Sequence, residues 1–194
     1  MRVLRGLRIL IPMLLLLAAV AAVAVVLSAR PVIEDARRDA EREWSAVDDR
    51  LGPHYRLLAT AANRVGTLIG PERTLARQTT AAIAAWRAAR GGPLADEVAA
   101  ANAVEAIGRR LVTAGAASNR VRADRRAADA VSAYATDPAF SAATITPPVT
   151  GFDRAVDRYE RERTGTVRAL AAAALGAEPI PAFTPVPSTP PSAS

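Results

Sequence analysis

The residues of this 194-residue chain that could do chemistry are few: one histidine, an aspartate pair and one arginine-studded run of carboxylates. His54 lies in the stretch GPHY. A lone imidazole excludes a His-rich metal site and the Glu-x-x-His pairs of di-iron bundles. Beside an expected helix start, it reads as a surface residue rather than a general base. The acidic residues gather in Asp48-Asp49 and in DRAVDRYERER, residues 153–163. In the second cluster arginines alternate with the carboxylates, and Asp157 and Arg161 make a favourable i,i+4 pair, so a solvated ion-pair face accounts for it. Neither a phosphate-cradling glycine loop nor a nucleophile elbow is present. Cysteine is absent, which removes disulfides and thiolate metal sites. No catalytic residue, cofactor site or metal ligand set is therefore expected, and the chain does not read as an enzyme.

The surrounding elements are helical. Beyond Pro31 the apolar residues recur at helical spacing, and no run alternates over a strand's length. Ala36, Ala40, Trp44, Val47 and Leu51 form one stripe; Gly52-Pro53 interrupts it, with Pro53 suited to begin a new helix. A second stripe runs through Leu57, Leu58, Ala61, Ala62, Val65 and Leu68, and a third through Leu75, Thr79, Ile83 and Trp86. Leu94, Val98, Ala101, Val104 and Leu111 approach heptad spacing, with Ile107 between the last two; Val121, Ala128, Val131 and Tyr134 extend the pattern. Phe152, Val156, Tyr159, Thr166, Leu170 and Ala174 mark the last helix. These segments predict an all-α fold, an antiparallel bundle of long helices over 31–183. Pro147-Pro148 and the nearby threonines predict a long loop near 136–151. Aromatics make up only 4% of the chain, so Trp44, Trp86, Tyr159 and Phe183 are expected core anchors. Residues 184–194, rich in Pro, Ser and Thr, read as a disordered or polyproline-like tail.

The N-terminal 30 residues are of another kind. From Ile9 to Ala29 run 21 residues without a charge. As a helix they would reach about 31 Å, near the hydrocarbon thickness of a bilayer. Pro12 falls in the first turn, where its missing N–H costs little. A cleavable signal peptide usually has a shorter apolar region, although Leu27-Ser28-Ala29 could serve as a poor cleavage site. The prediction is a single transmembrane span at 9–29 that stays in place. Arg2, Arg5 and Arg8 precede it, and acidic residues dilute the arginines that follow, which favours a cytoplasmic N-terminus and an extracytoplasmic bundle. The net charge of +6 comes largely from this end: without Arg2, Arg5, Arg8 and Arg30, 21 basic residues face 19 acidic ones. A nearly neutral body argues against nucleic acid as a partner.

Near the C-terminus, LGAEPIPAF places helix-stopping Gly176, Pro179 and Pro181 before an apolar Phe183. Tyr159 in AVDRY, then Leu175-Gly176, Pro179 and Phe183 resemble the C-terminal signature of the LemA family. The N-terminal half is similar too. A membrane span followed by EWSAVDDRL, with Trp44, Ser45, Val47, Asp48 and Leu51, resembles that family's tryptophan-serine helix, and Leu57-Leu58 fall where a leucine-isoleucine pair is expected. The departures are Glu160 in place of an Asn, Ala59-Thr60 in place of a Pro-Asn, and Thr166-Val167 in place of a Phe-Pro turn, so that the last helix is expected to continue unbroken. Asn119-Arg120-Val121 is similar to the family's Asn-Arg-Ile, but two copies of A-V-x-x-Y follow, one at Ala130, Val131 and Tyr134 and one at Ala155, Val156 and Tyr159. The second copy is followed by the hook at the right distance.

The resemblance implies a membrane anchor carrying long antiparallel helices, with no catalytic residues to transfer. Trp44, Ser45, Val47, Leu57, Leu58, Tyr159, Gly176, Pro179 and Phe183 are expected as structural positions: Gly176 ends the helix, Pro179 fixes the turn and Phe183 plugs the bundle. The expected function is a membrane-tethered, non-catalytic scaffold that presents its bundle surface to a protein partner. The alternative is a membrane-tethered sensor or ligand-binding bundle.

Overall fold

A computed structural model describes residues 2–165 and 168–188, the side chains of residues 2–12, 14, 15, 18 and 22 excepted. The described residues form helices: α1 (Arg2–Gly66), α2 (Glu72–Ala89), α3 (Leu94–Ala117), α4 (Asn119–Ala123), α5 (Arg125–Ala135), the 3₁₀ turn η1 (Pro138–Phe140), α6 (Ala142–Thr164) and α7 (Arg168–Ala174). No strand occurs among them. The bundle surrounds the second half of α1, which packs against α2, α5, α6 and α7, while α2 and α3 form an antiparallel pair beside it.

A single stripe explains the central place of α1. Ile33, Ala36, Ala40, Trp44, Val47, Leu51, Tyr55, Leu58, Ala62 and Val65 are all buried. Their spacing of three and four residues keeps one face of the helix inward. Alanines between the large residues let neighbouring helices approach closely. All the aromatic side chains are buried, including the four expected anchors Trp44, Trp86, Tyr159 and Phe183.

Three expected boundaries differ. Gly52-Pro53 does not divide two helices: α1 runs from Arg2 through Pro12, Pro31 and Pro53 to Gly66, so Pro12 is not in its first turn. An interior proline removes one backbone hydrogen bond and costs about 3 kcal/mol. Continuous burial from Leu51 through Tyr55 to Leu58 outweighs that local loss. The loop expected near 136–151 is mostly helix, with α6 containing Pro147 and Pro148. Ile145 and Val149 are buried in register with Phe152, Val156 and Tyr159, so the same stripe crosses the prolines. Conversely, the last helix does not continue. It ends at Thr164, with Gly165 in extended conformation, and α7 resumes in a different phase. Ala171 and Ala172 are buried while Leu170, expected on the core face, is exposed; Thr166 and Val167 lie outside the described residues.

The N-terminal part of α1 extends beyond its neighbours. Met13, Leu16, Leu17, Val20, Val23 and Leu27 are exposed, Leu17 at 70%. Among the described residues no helix is long and apolar enough to cross a membrane. The span expected at 9–29 falls in part on residues 9–12, 14, 15, 18 and 22, whose side chains lie outside the described ones.

Candidate functional site

Two regions gather the notable side chains, one at the C-terminal hook and one around His54. At the hook, Gly176 takes φ +63°, a left-handed conformation that costs glycine nothing. Ala177 N donates to Ala172 O (2.9 Å) and Gly176 N to Ala173 O (3.3 Å), the paired bonds of a Schellman motif closing α7. Pro179 then keeps the chain from re-entering a helix. Tyr159 Oη donates to Glu178 O (2.8 Å), and Ile180 N donates to Glu160 Oε1 (3.3 Å). Glu160 thus holds the hook directly. Phe183 is 3% exposed and meets Trp44 edge-on, with ring centroids 5.3 Å apart and an interplanar angle of 83°. Trp44 also packs on Phe152 at 5.0 Å and donates Nε1–H to Glu97 Oε1 (2.9 Å).

Of the expected structural positions, Trp44, Tyr159, Gly176, Pro179 and Phe183 therefore belong to one end of the bundle. Val47 is buried beside Trp44's turn, and Ser45 is exposed in a cleft of about 400 Å³ shared with Glu41, Asp48, Arg90 and Glu97. Leu57 is half-buried; Leu58 is fully buried further along α1, near the second region.

Residues 184–188, expected to belong to an unstructured tail, are seated along α3. Asn102 Nδ2 donates to Ala182 O (2.8 Å), and its Oδ1 accepts from Thr184 N (2.9 Å). Glu105 Oε2 accepts from Val186 N (2.8 Å), and Ser188 N donates to Phe140 O (3.1 Å). The N–H groups of 184, 186 and 188 all face inward, and the alternate positions, Pro185 and Pro187, have no N–H to leave unpaired. Residues 189–194 lie outside the described residues.

His54 is not a surface residue. It is 1% exposed, with Phe140 stacked on it at 3.8 Å and Tyr134 at 4.4 Å. Its Nδ1 lies 2.9 Å from Asp137 Oδ2; because a carboxylate only accepts, Nδ1 carries the proton. Asp137 is itself fixed by η1, whose first turn it caps by accepting Ala139 N at Oδ1 (3.0 Å). Burial lowers the His54 pKa below the usual imidazole value, against the opposing pull of Asp137. The ring is thus neutral at pH 7, and Nε2, a bare acceptor, has no partner among the described residues. Glycine is needed opposite this cluster: a Cβ at Gly108 would lie 2.6 Å from Tyr134 Oη. Sequence phase held the signal. Once Pro53 is placed inside a helix, His54 follows Leu51 by three residues and precedes Leu58 by four, on the buried face.

Glu105 completes the region. It is 1% exposed. Burial pushes its carboxyl up to about 7, against the Val186 N–H, Tyr55 and Arg109, which favour ionisation. The Tyr55 hydroxyl donates to Ala101 O (3.2 Å), and Glu105 Oε1 has no partner among the described residues. A carboxyl whose folded pKa is raised adds stability below its unfolded pKa, near 4.5, and loses it as the pH rises through about 7. Glu105→Gln keeps the acceptor for Val186 N–H and cannot ionise. It is expected to gain about 2–3 kcal/mol over wild type at pH 8 and almost nothing at pH 4.5. Urea melts at the two pH values test this; an equal effect at both would show that Glu105 does not titrate in the fold.

Together these groups can accept one hydrogen bond at a neutral imidazole and exchange one proton near neutrality. Among the described residues no group of three or more His, Cys, Asp or Glu side chains is placed to hold a metal ion. Comparison with known protein families, curated proteins and solved structures gives no match.

Proposed function

We propose that the chain is a single-pass, membrane-anchored helical bundle of the LemA-like type, non-catalytic, which presents its bundle surface to a protein partner. The observation that carries this reading is α1. One helix includes both the uncharged segment 9–29 and the central stripe of the bundle, and Met13, Leu16, Leu17, Val20, Val23 and Leu27 on it are exposed. An apolar surface of this kind calls for lipid or another apolar partner, and the uncharged length suits a bilayer. The proposed topology puts the N-terminus in the cytoplasm and the bundle outside it. The LemA-like reading is supported by the meeting of Trp44 from one end of the resemblance with Phe183 from the other.

Fractionation tests the anchor. The full chain is expected to stay with membranes after alkaline carbonate washing, and a chain lacking residues 1–29 to be released. Protease added outside the membrane is expected to cut the bundle. Full-length protein washed off by carbonate would overturn the anchor; protection of the bundle from outside protease would overturn the topology. In-cell crosslinking of the same strains reads out the protein partner. A second reading, a membrane-tethered ligand-binding bundle, is favoured by the cavity beside His54.

A further inference from the structure

The base of the bundle, where α1 leaves the uncharged segment, is built by α6 and α7. α6 descends along α1 in antiparallel register. Trp44 packs on Phe152, Arg158 Nη1 donates to Asp39 Oδ2 (2.5 Å), and Arg37 shares a cleft with Tyr159. By that register Thr164, the end of α6, falls within about one helical turn of Ala29. α7 then turns back and packs on both α1 and α6. Ala169 N donates to Gly165 O (2.7 Å) at its start, and Gly176, just past its end, lines the cleft of Arg37 and Tyr159. Its seven residues rise about 10 Å, so its first turn stands beside the last turn of the uncharged segment. Burial agrees with this placement: Ala171 and Ala172 are covered on α7, as is Ala29 on α1, and Val26 packs against the core.

The outward face of α7 differs from that of α6. α6 shows Arg154, Asp157, Arg158 and Arg161 to solvent, whereas α7 shows Ala169, Leu170, Ala173 and Ala174. Leu170 is 73% exposed, and no polar side chain occurs from Ala169 to Ala177. A lone leucine in water needs no explanation. A helix face without any polar side chain, beside the end of the exposed apolar reach of α1, does call for a cover. The face is too small for a protein interface, which takes about 800 Å² from each partner. A bilayer fits it. The interfacial layer outside the hydrocarbon is about 5–7 Å deep, and with Ala29 at the hydrocarbon edge Leu170 stands within that layer. We propose that α7 is a second membrane contact: its outward face rests in the headgroup layer of the bilayer that holds the α1 anchor, with Leu170 reaching toward the acyl chains. This inference rests on the anchored reading and adds to it. A single span leaves the bundle free to tilt and turn about α1, and a second contact at its base fixes both.

The chain has no cysteine, so one environment-sensitive dye can be placed at will on the full chain in phosphatidylcholine vesicles. Leu170→Cys and Ala173→Cys put it on the outward face of α7. Ile69→Cys is the distant control, 86% exposed and past the far end of α1, about 55 Å from Ala29. Dyes at 170 and 173 are expected to be shielded from aqueous iodide and to lose about half their emission to lipid carrying a nitroxide near its acyl carbonyl. The dye at 69 is expected to stay open to iodide and to ignore the nitroxide. The proposal is overturned if the dye at 170 or 173 is as open to iodide as the one at 69. It is equally overturned if either is shielded yet does not respond to the nitroxide, which would mean that a second copy covers the face. Flotation of the same vesicles reads the anchor separately. Chains that float with an iodide-open dye on α7 keep the anchor and lose this contact, whereas chains that do not float lose both.

Discussion

Phe183→Ala is expected to lower the unfolding free energy by about 3–5 kcal/mol. Two terms contribute: the lost transfer of a large aromatic from water, and the cavity left behind. The second is large where the surroundings cannot collapse. Here the flanking backbone is pinned on both sides, since Asn102 holds Ala182 O and Thr184 N. One turn before, Tyr159 and Glu160 hold Glu178 O and Ile180 N. Loss of the edge-on contact with Trp44 adds a coupling of about 0.5–1.5 kcal/mol, measurable in a double-mutant cycle with Trp44→Ala. Urea unfolding followed by circular dichroism, with an unchanged denaturant slope, gives the number. A loss below about 0.5 kcal/mol would mean that Phe183 plugs nothing.

His54→Leu is expected to cost about 1.5–3 kcal/mol at pH 7.5, because the Asp137 carboxylate then sits buried without its Nδ1–H donor. The cost should shrink in acid, and the direction follows from linkage. His54 has a folded pKa below its unfolded value of 6.5. Its stabilising contribution is therefore complete above pH 6.5 and is lost as the pH falls through the folded value. The leucine variant has no such loss, so the gap narrows as the pH falls. Melts at pH 7.5 and pH 5 decide the matter: a cost under 1 kcal/mol at the higher pH, or the same cost at both, contradicts the buried pair.

Much of the fold could be read from periodicity, because the stripes through Trp44, Ile83, Val98 and Phe152 are local patterns with long-range consequences. The hook could be read too, since a glycine and two prolines before an exposed-looking Phe only make sense if the Phe is covered. What the sequence concealed was every place where tertiary packing overrode a local rule. Pro53 and Pro147-Pro148 sit inside helices because buried neighbours on either side hold the backbone in register. Gly165, unremarkable among apolar spacings, ends α6 instead. A helix start at Pro53 would turn His54 toward solvent, and its partner Asp137 lies 83 residues away, beyond any local pattern. The docking of residues 184–188 was equally hidden, because its partners are Asn102 and Glu105 on a distant helix.

The uninterrupted length of α1 has a mechanical meaning. Its 65 residues make a shaft of about 98 Å, and no hinge glycine pair or loop separates the outer reach from the stave at the centre of the fold. Rotation of the outer reach about its axis is therefore coupled to Trp44 and the residues packed on it, with Pro31 the position between them where the shaft can bend. One residue added between Ala29 and Val32 would turn the two ends against each other by about 100°, so the angular setting of the outer reach is geared to the packing of the interior.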